Sequence, residues 1–125
     1  MSSRGLRRAP KFSVDPAPLS GVPGLHVRGV VDISTGRDLT AAIDAAIAES
    51  VGAFVIDLCD VDFLDSTGVN VVLHARAALG RDDRQLVLIC PPGSVRRVFD
   101  VVGISDLLVF FATRDEAAAS LKPTA

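Results

Sequence analysis

The chain has 125 residues, 49% of them hydrophobic and 22% charged, with a formal net charge of −2. That length supports one domain with a packed core, and so even a charge balance argues against nucleic acid as a main partner. No apolar run approaches the ~20 residues of a membrane-spanning helix, and the first ten residues lack the apolar middle of a secretory signal.

Trp and Tyr are absent, so the core must come from Val, Leu, Ile, Ala and six Phe. Cys59 and Cys90 have no metal-ligand spacing and are expected to be buried thiols in a reducing cytoplasm. Residues 1–10 carry Arg4, Arg7 and Arg8 among Ser, Gly and Pro, the composition of a flexible basic tail. Lys11 to Val14 suits a short edge strand, stopped by Asp15-Pro16-Ala17-Pro18. After the Pro23-Gly24 turn signal, Leu25 to Val31 reads as a strand with His26 and Arg28 on its polar face.

Asp32, Ser34 and Thr35 offer capping oxygens for a helix from Gly36, whose stripe is Leu39, Ile43 and Ile47. Ala53 to Leu58 is almost continuously apolar, as in a strand covered on both faces. A cluster of aspartates follows, and Ser66 opens a helix to Leu79 with Gly80 as its stop. Gln85 to Cys90 is a further buried strand. Pro91 to Ser94 then turn into a helix with Val95, Val98, Phe99 and Val102 inward and Arg96 and Arg97 outward, ended by Gly103. Leu107 to Phe111 reads as the last strand. Thr113-x-x-Glu116 is a capping box for a final helix to about Leu121.

Strands alternating with helices predict an α/β domain: a mixed sheet of four to five strands with about four helices, over residues 11–121 between a basic tail (1–10) and a short C-terminal tail (122–125). Its chemistry concentrates at Asp60, Asp62, Asp65, Ser66, Thr67 and Gly68. A hydroxyl at a helix start meets backbone N–H groups without intrahelical partners and the positive end of the macrodipole. A phosphate on Ser66 could accept hydrogen bonds from the N–H groups of Thr67, Gly68 and Val69, with Gly68 leaving the approach open. The aspartates would oppose it, since a phosphoserine adds about −1.5 to −2 charges. Simple helix capping by Asp-Ser-Thr-Gly explains the same residues and stands beside the switch.

An enzyme reading is weak: His74 lies two turns beyond Ser66, and no Gly-x-Ser-x-Gly elbow, Lys-ended phosphate loop or zinc motif is present. Four acids on one segment read as a solvated rim rather than a metal site. No catalytic residue, cofactor or metal is expected.

Four stretches are similar to a STAS domain, and specifically to an anti-sigma factor antagonist. They are Gly29-Val-Val-Asp32-x-x-Thr35 with Leu39; Ile56-Asp57-Leu58 with Phe63-Leu-Asp-Ser66-Thr-Gly68; Pro92-Gly-Ser-Val-Arg-Arg-Val-Phe99; and Gly103-Ile104 through Phe110 with Asp115-Glu-Ala-Ala118. Val30 and Gly36 depart from the Glu and Ala usual in the first stretch.

The resemblance implies that the unphosphorylated form binds an anti-sigma factor serine kinase of the histidine-kinase-like ATPase fold and frees its sigma factor. Phosphorylation of Ser66 would weaken that complex, and a PP2C-type phosphatase would restore it. The implied contact surface is an Asp60–Gly68 loop, the helix start at Asp65, Ser66, Thr67 and Gly68, and the segment from Asp32 to Thr35, with Thr67 a lesser acceptor than Ser66. It implies a cytoplasmic regulator of transcription without nucleotide of its own; a homodimer stays open. The same fold also serves lipid-transport, stress-signalling and ligand-sensing complexes, which is the alternative reading.

Overall fold

A computed structural model describes residues 11–121; the predicted basic tail (1–10) and C-terminal tail (122–125) lie outside the described residues. The elements run β1 (Ser13–Pro16), β2 (Gly24–Val31), α1 (Gly36–Ala48), β3 (Phe54–Leu64), α2 (Ser66–Gly80), β4 (Leu86–Ile89), α3 (Ser94–Val101), a single 3-10 turn (Ser105–Leu107), β5 (Val109–Phe111) and α4 (Arg114–Ser120). The five strands lie in sequence order, β1 antiparallel to β2 and the rest parallel. The predicted mixed sheet with four helices is therefore what the chain forms.

Parallel neighbours joined by helices of one hand place α1, α2 and α3 on the same face. Their apolar stripes (Leu39, Ile43 and Ile47; Val72, Ala75 and Leu79; Phe99) close one core with Val27, Phe54, Ile56, Leu58 and Leu88. The opposite face is covered only in part. There Ala117 of α4 packs on Val55, Val87 and Ile89, with Leu19, Val22 and Phe111 around them. The uncovered remainder carries His26, Arg28, Asp57, Cys59 and Asp60 beside Arg114, around a concavity of about 410 Å³.

Several elements differ from their sequence pattern for local reasons. β1 lies two residues later than expected and includes Pro16, tolerated because β1 is an edge strand. β3 does not stop at Leu58 but runs eleven residues through the aspartates to Leu64, beside β2 alone, since β4 pairs only with Phe54 to Asp57. Register shifts against β2 at His26/Arg28 and Gly29/Val30 let this overhang carry exposed acids while Val61 and Leu64 stay inside.

Gly80 is the last residue of α2 rather than its stop; the left-handed residue comes later, at Asp83. In α3 only Phe99 is fully buried, and Val102 is largely exposed instead of facing inward. Arg96, expected outward, lies with its guanidinium 3.9 Å over the Phe110 ring. Gly103 has the positive φ of a helix stop. Thr113 accepts from the Glu116 N–H as a capping box requires, while Glu116 accepts in return from Ala112. Cys90 is buried but Cys59 is exposed, because the overhanging half of β3 has no helix over that side; both thiols are free.

Candidate functional site

β2 and β3 end side by side, with Val31 in register with Leu64, so the chain leaves both strands at one end of the sheet. The Asp65 N–H bonds the Val31 carbonyl at 3.3 Å and ties the two exits together. Asp32 to Thr35 and Asp65 to Gly68 are thereby neighbours, although twenty-nine residues lie between them in sequence.

The first exit is a tight turn held by its own polar groups. Thr35 Oγ1 donates to the Val30 carbonyl at 2.8 Å and accepts from the Asp32 N–H at 3.0 Å. It therefore makes no side-chain cap on α1, contrary to the capping expectation. Asp32 Oδ1 accepts from both the N–H and the hydroxyl of Ser34, at 2.9 and 2.6 Å. The Ser34 hydroxyl and then its N–H hold the Asp32 carboxyl below the usual carboxylate range, so this acid stays ionised. Between them Ile33 is 86% exposed.

The second exit shows which residue caps α2. Asp65, not Ser66, is the N-cap, its carboxylate accepting from the Thr67 N–H at 2.9 Å while its carbonyl accepts from Val69. Ser66 is exposed, and its hydroxyl makes no hydrogen bond among the described residues. Capping is thus already complete without Ser66. The same bonds revise the expected phosphate cradle, since the N–H groups of Thr67 and Val69 are in use and Gly68 alone of the three remains.

Gly68 has a different reason from the one its sequence position suggests. It is buried, and a Cβ built there would lie 2.8 Å from Leu64 Cδ1 and closer still to Leu64 Cγ. It lets the helix start sit down on the end of β3 rather than opening an approach from solvent. Thr67 turns its methyl toward α1, where a Cβ on Gly36 would lie 2.7 Å from Thr67 Cγ2. That contact gives a packing reason for glycine at position 36.

The acids do not form one loop. Asp60 and Asp62 are strand residues of β3, and Asp60 lies about 13 Å of strand from Leu64. His26 Nε2 meets Asp60 Oδ2 at 2.7 Å. With Asp32 held by Ser34 and Asp65 used as a cap, Asp62 alone of these four carboxylates accepts no hydrogen bond among the described residues. Phe63 is 53% exposed beside its register neighbour Val30, adding an apolar element to this end of the sheet.

One polar residue with a structural role escaped the sequence reading. Asp57 is 2% exposed, and its Oδ2 accepts from Arg114 Nη1 at 2.9 Å while Oδ1 accepts from the Cys59 N–H at 2.9 Å. Burial pushes this carboxyl up, but the Cys59 N–H and Arg114 outweigh it, and the net effect lowers its pKa. Partial burial, reinforced by Asp57, pushes the Cys59 thiol up to about 12. His74 pairs with Asp44 at 2.8 Å and is spent on joining α2 to α1. Among the described residues no cluster of three or more His, Cys, Asp or Glu is arranged to hold a metal, and no helix is long and apolar enough to cross a membrane.

A singly wound sheet in which two adjacent strands end in a self-bonded turn and a helix start with one exposed serine is the architecture of a STAS domain. The chain belongs to that family, whose signature matches residues 18–117. Its relatives place it with the anti-sigma factor antagonists. It is 30% identical over 112 residues to the anti-sigma-F factor antagonist RsfB of Mycobacterium tuberculosis, covering 89% of this chain and 90% of that one. It is also 30% identical over 96 residues to the putative anti-sigma factor antagonist BtrV of Bordetella bronchiseptica, covering 77% and 83%. The crystal structure of an anti-sigma factor antagonist from Mycobacterium paratuberculosis superposes with a TM-score of 0.81 at 27% identity, covering 89% of this chain and 94% of that one.

Proposed function

We propose that this anti-sigma factor antagonist works as a phosphorylation switch: unmodified, it binds an anti-sigma factor that is a serine kinase and so frees a sigma factor. Phosphorylation of Ser66 weakens the complex, and a PP2C-type phosphatase reverses it. The observation that carries this reading is the division of labour at the start of α2. Asp65 performs the capping, so the neighbouring hydroxyl is exposed and without a structural task.

The docking surface would comprise Asp32, Thr35, Asp62, Asp65, Ser66 and Thr67, with Asp60 at its margin through His26; Gly68, expected there from the sequence, is buried beneath it. Two like unit charges about 5 Å apart repel by about 1–3 kcal/mol as the effective dielectric runs from roughly 60 down to 20. Against an acidic or tightly packed partner surface, that corresponds to about a ten- to hundredfold loss of affinity. The fold beneath need not move, because Gly68 and Leu64 anchor the helix start from below. In this reading the chain catalyses nothing itself, and it operates in the cytoplasm.

The test is incubation with the anti-sigma kinase and ATP followed by intact-mass analysis. One added phosphate is expected on the wild type and none on Ser66→Ala. Equal phosphate on both proteins would refute the assignment.

A further inference from the structure

We infer that Arg37, in the first turn of α1, is the residue that receives a phosphate carried on Ser66. This rests on the reading of Ser66 as the acceptor and adds how the chain accommodates the modification. α1 and α2 both begin at the same end of the sheet, and their first turns touch where Gly36 meets Thr67. Arg37, the next residue, lines with Thr67 and Asn70 a groove of about 480 Å³ between the two helices. Ser66 does not line the groove, but it adjoins Thr67 in sequence and lies one helical turn before Asn70, both of which do. His74 and Asp44, bonded to each other, lie further along it.

Two features of Arg37 call for an anion. It is exposed and makes no hydrogen bond or ion pair among the described residues. It also sits in the first turn of a helix, where the macrodipole disfavours a cation. The phosphate, for its part, finds only the Gly68 N–H still free at its own helix start. Of the N–H groups that follow Ser66, those of Thr67 and Val69 are already bonded to Asp65. A guanidinium offers the paired donors that a phosphate accepts best, and a long flexible side chain on the neighbouring helix start can supply them. Asp38 and Asp65, the carboxylates of the same two helix starts, work against the phosphate, so the single cation has an identifiable task. Phosphorylation would then also withdraw Arg37 from the surface that the unmodified protein offers a partner.

The experiment uses full-length protein with phosphoserine installed at position 66 during synthesis, so no kinase is needed. The second ionisation of the phosphate is followed by ³¹P NMR from pH 4 to 8 at low salt in the wild type, Arg37→Ala and Arg37→Glu. Relative to wild type, the ionisation should rise by about half a pH unit in Arg37→Ala and further in Arg37→Glu, with the differences shrinking at high salt. Far-UV circular dichroism verifies that both variants are folded, as an exposed position allows. Identical ionisation in wild type and Arg37→Ala would overturn the inference. Because the phosphate is preinstalled, that outcome counts against Arg37 alone, whereas a kinase that ignores Ser66 counts against the acceptor assignment.

Discussion

Replacing Asp65 and Ser66 one at a time by alanine separates the two explanations of the Asp-Ser-Thr-Gly segment. Asp65→Ala removes the carboxylate that accepts from the Thr67 N–H at 2.9 Å. Loss of such a cap costs about 1 kcal/mol, within a usual range of about 0.5–2. For a chain of this size the unfolding entropy is roughly 0.26 kcal/mol/K, so the cost corresponds to a fall in Tm of about 4 °C. Ser66→Ala removes a hydroxyl that makes no hydrogen bond and places the best helix former in a first helical turn, so stability should change by less than about 0.5 kcal/mol. Urea unfolding followed by circular dichroism resolves this difference, with unchanged m-values confirming that both variants unfold alike. A Ser66→Ala loss equal to that of Asp65→Ala would show the serine to be part of the cap, and the argument for a free hydroxyl would be refuted.

Three further outcomes follow from the same geometry. Gly68→Ala forces a methyl into the Leu64 side chain and should cost about 1–3 kcal/mol in urea unfolding, and less when measured in a Leu64→Ala background; a neutral single variant would contradict the close approach. Asp57→Asn should cost about 1–3 kcal/mol at pH 7, discounted for the partial exposure of Arg114. Because the folded-state pKa of Asp57 is depressed, its stabilisation is fully present above the unfolded value of about 3.9 and lost as pH falls through the folded value. The stability gap between wild type and Asp57→Asn should therefore be flat from pH 8 to 5 and close below pH 4, and a gap that widens in acid would contradict it. Cys59, with its thiol pushed up to about 12, should alkylate with iodoacetamide at pH 8 roughly thirty- to a hundredfold more slowly than free cysteine despite its exposure; a normal rate would contradict the shift.

The sheet and its helices were legible because their signals are local: the Leu39, Ile43 and Ile47 stripe, the apolar run before Asp57, the capping box at Thr113. What the sequence hid depends on residues far apart. The aspartates after Leu58 look like a loop because strands rarely carry so many acids. They form strand because β2 runs on beside them and the opposite face is left open to water. Asp57 sits within an apolar run, and nothing nearby announces that its partner is Arg114, fifty-seven positions later.

At the candidate site, the helix-start pattern pointed to Ser66, and the resemblance to the STAS family added the Asp32–Thr35 turn. Neither assigned the cap. Asp, Ser and Thr all favour that role, and only the bond from Thr67 identifies Asp65. Gly68 was legible as a residue that needs no Cβ, but the neighbour imposing that need, Leu64, lies beneath the helix rather than in solvent. Arg37 has no local signal at all, since its setting arises only when two helix starts meet.

The most direct test of the switch compares the affinity of the anti-sigma kinase for unmodified protein and for protein with phosphoserine installed at position 66, by calorimetry at physiological salt. The modified form is expected to bind at least about tenfold more weakly while its circular dichroism spectrum and Tm stay close to those of the unmodified form. Equal affinity of two folded forms would contradict that expectation.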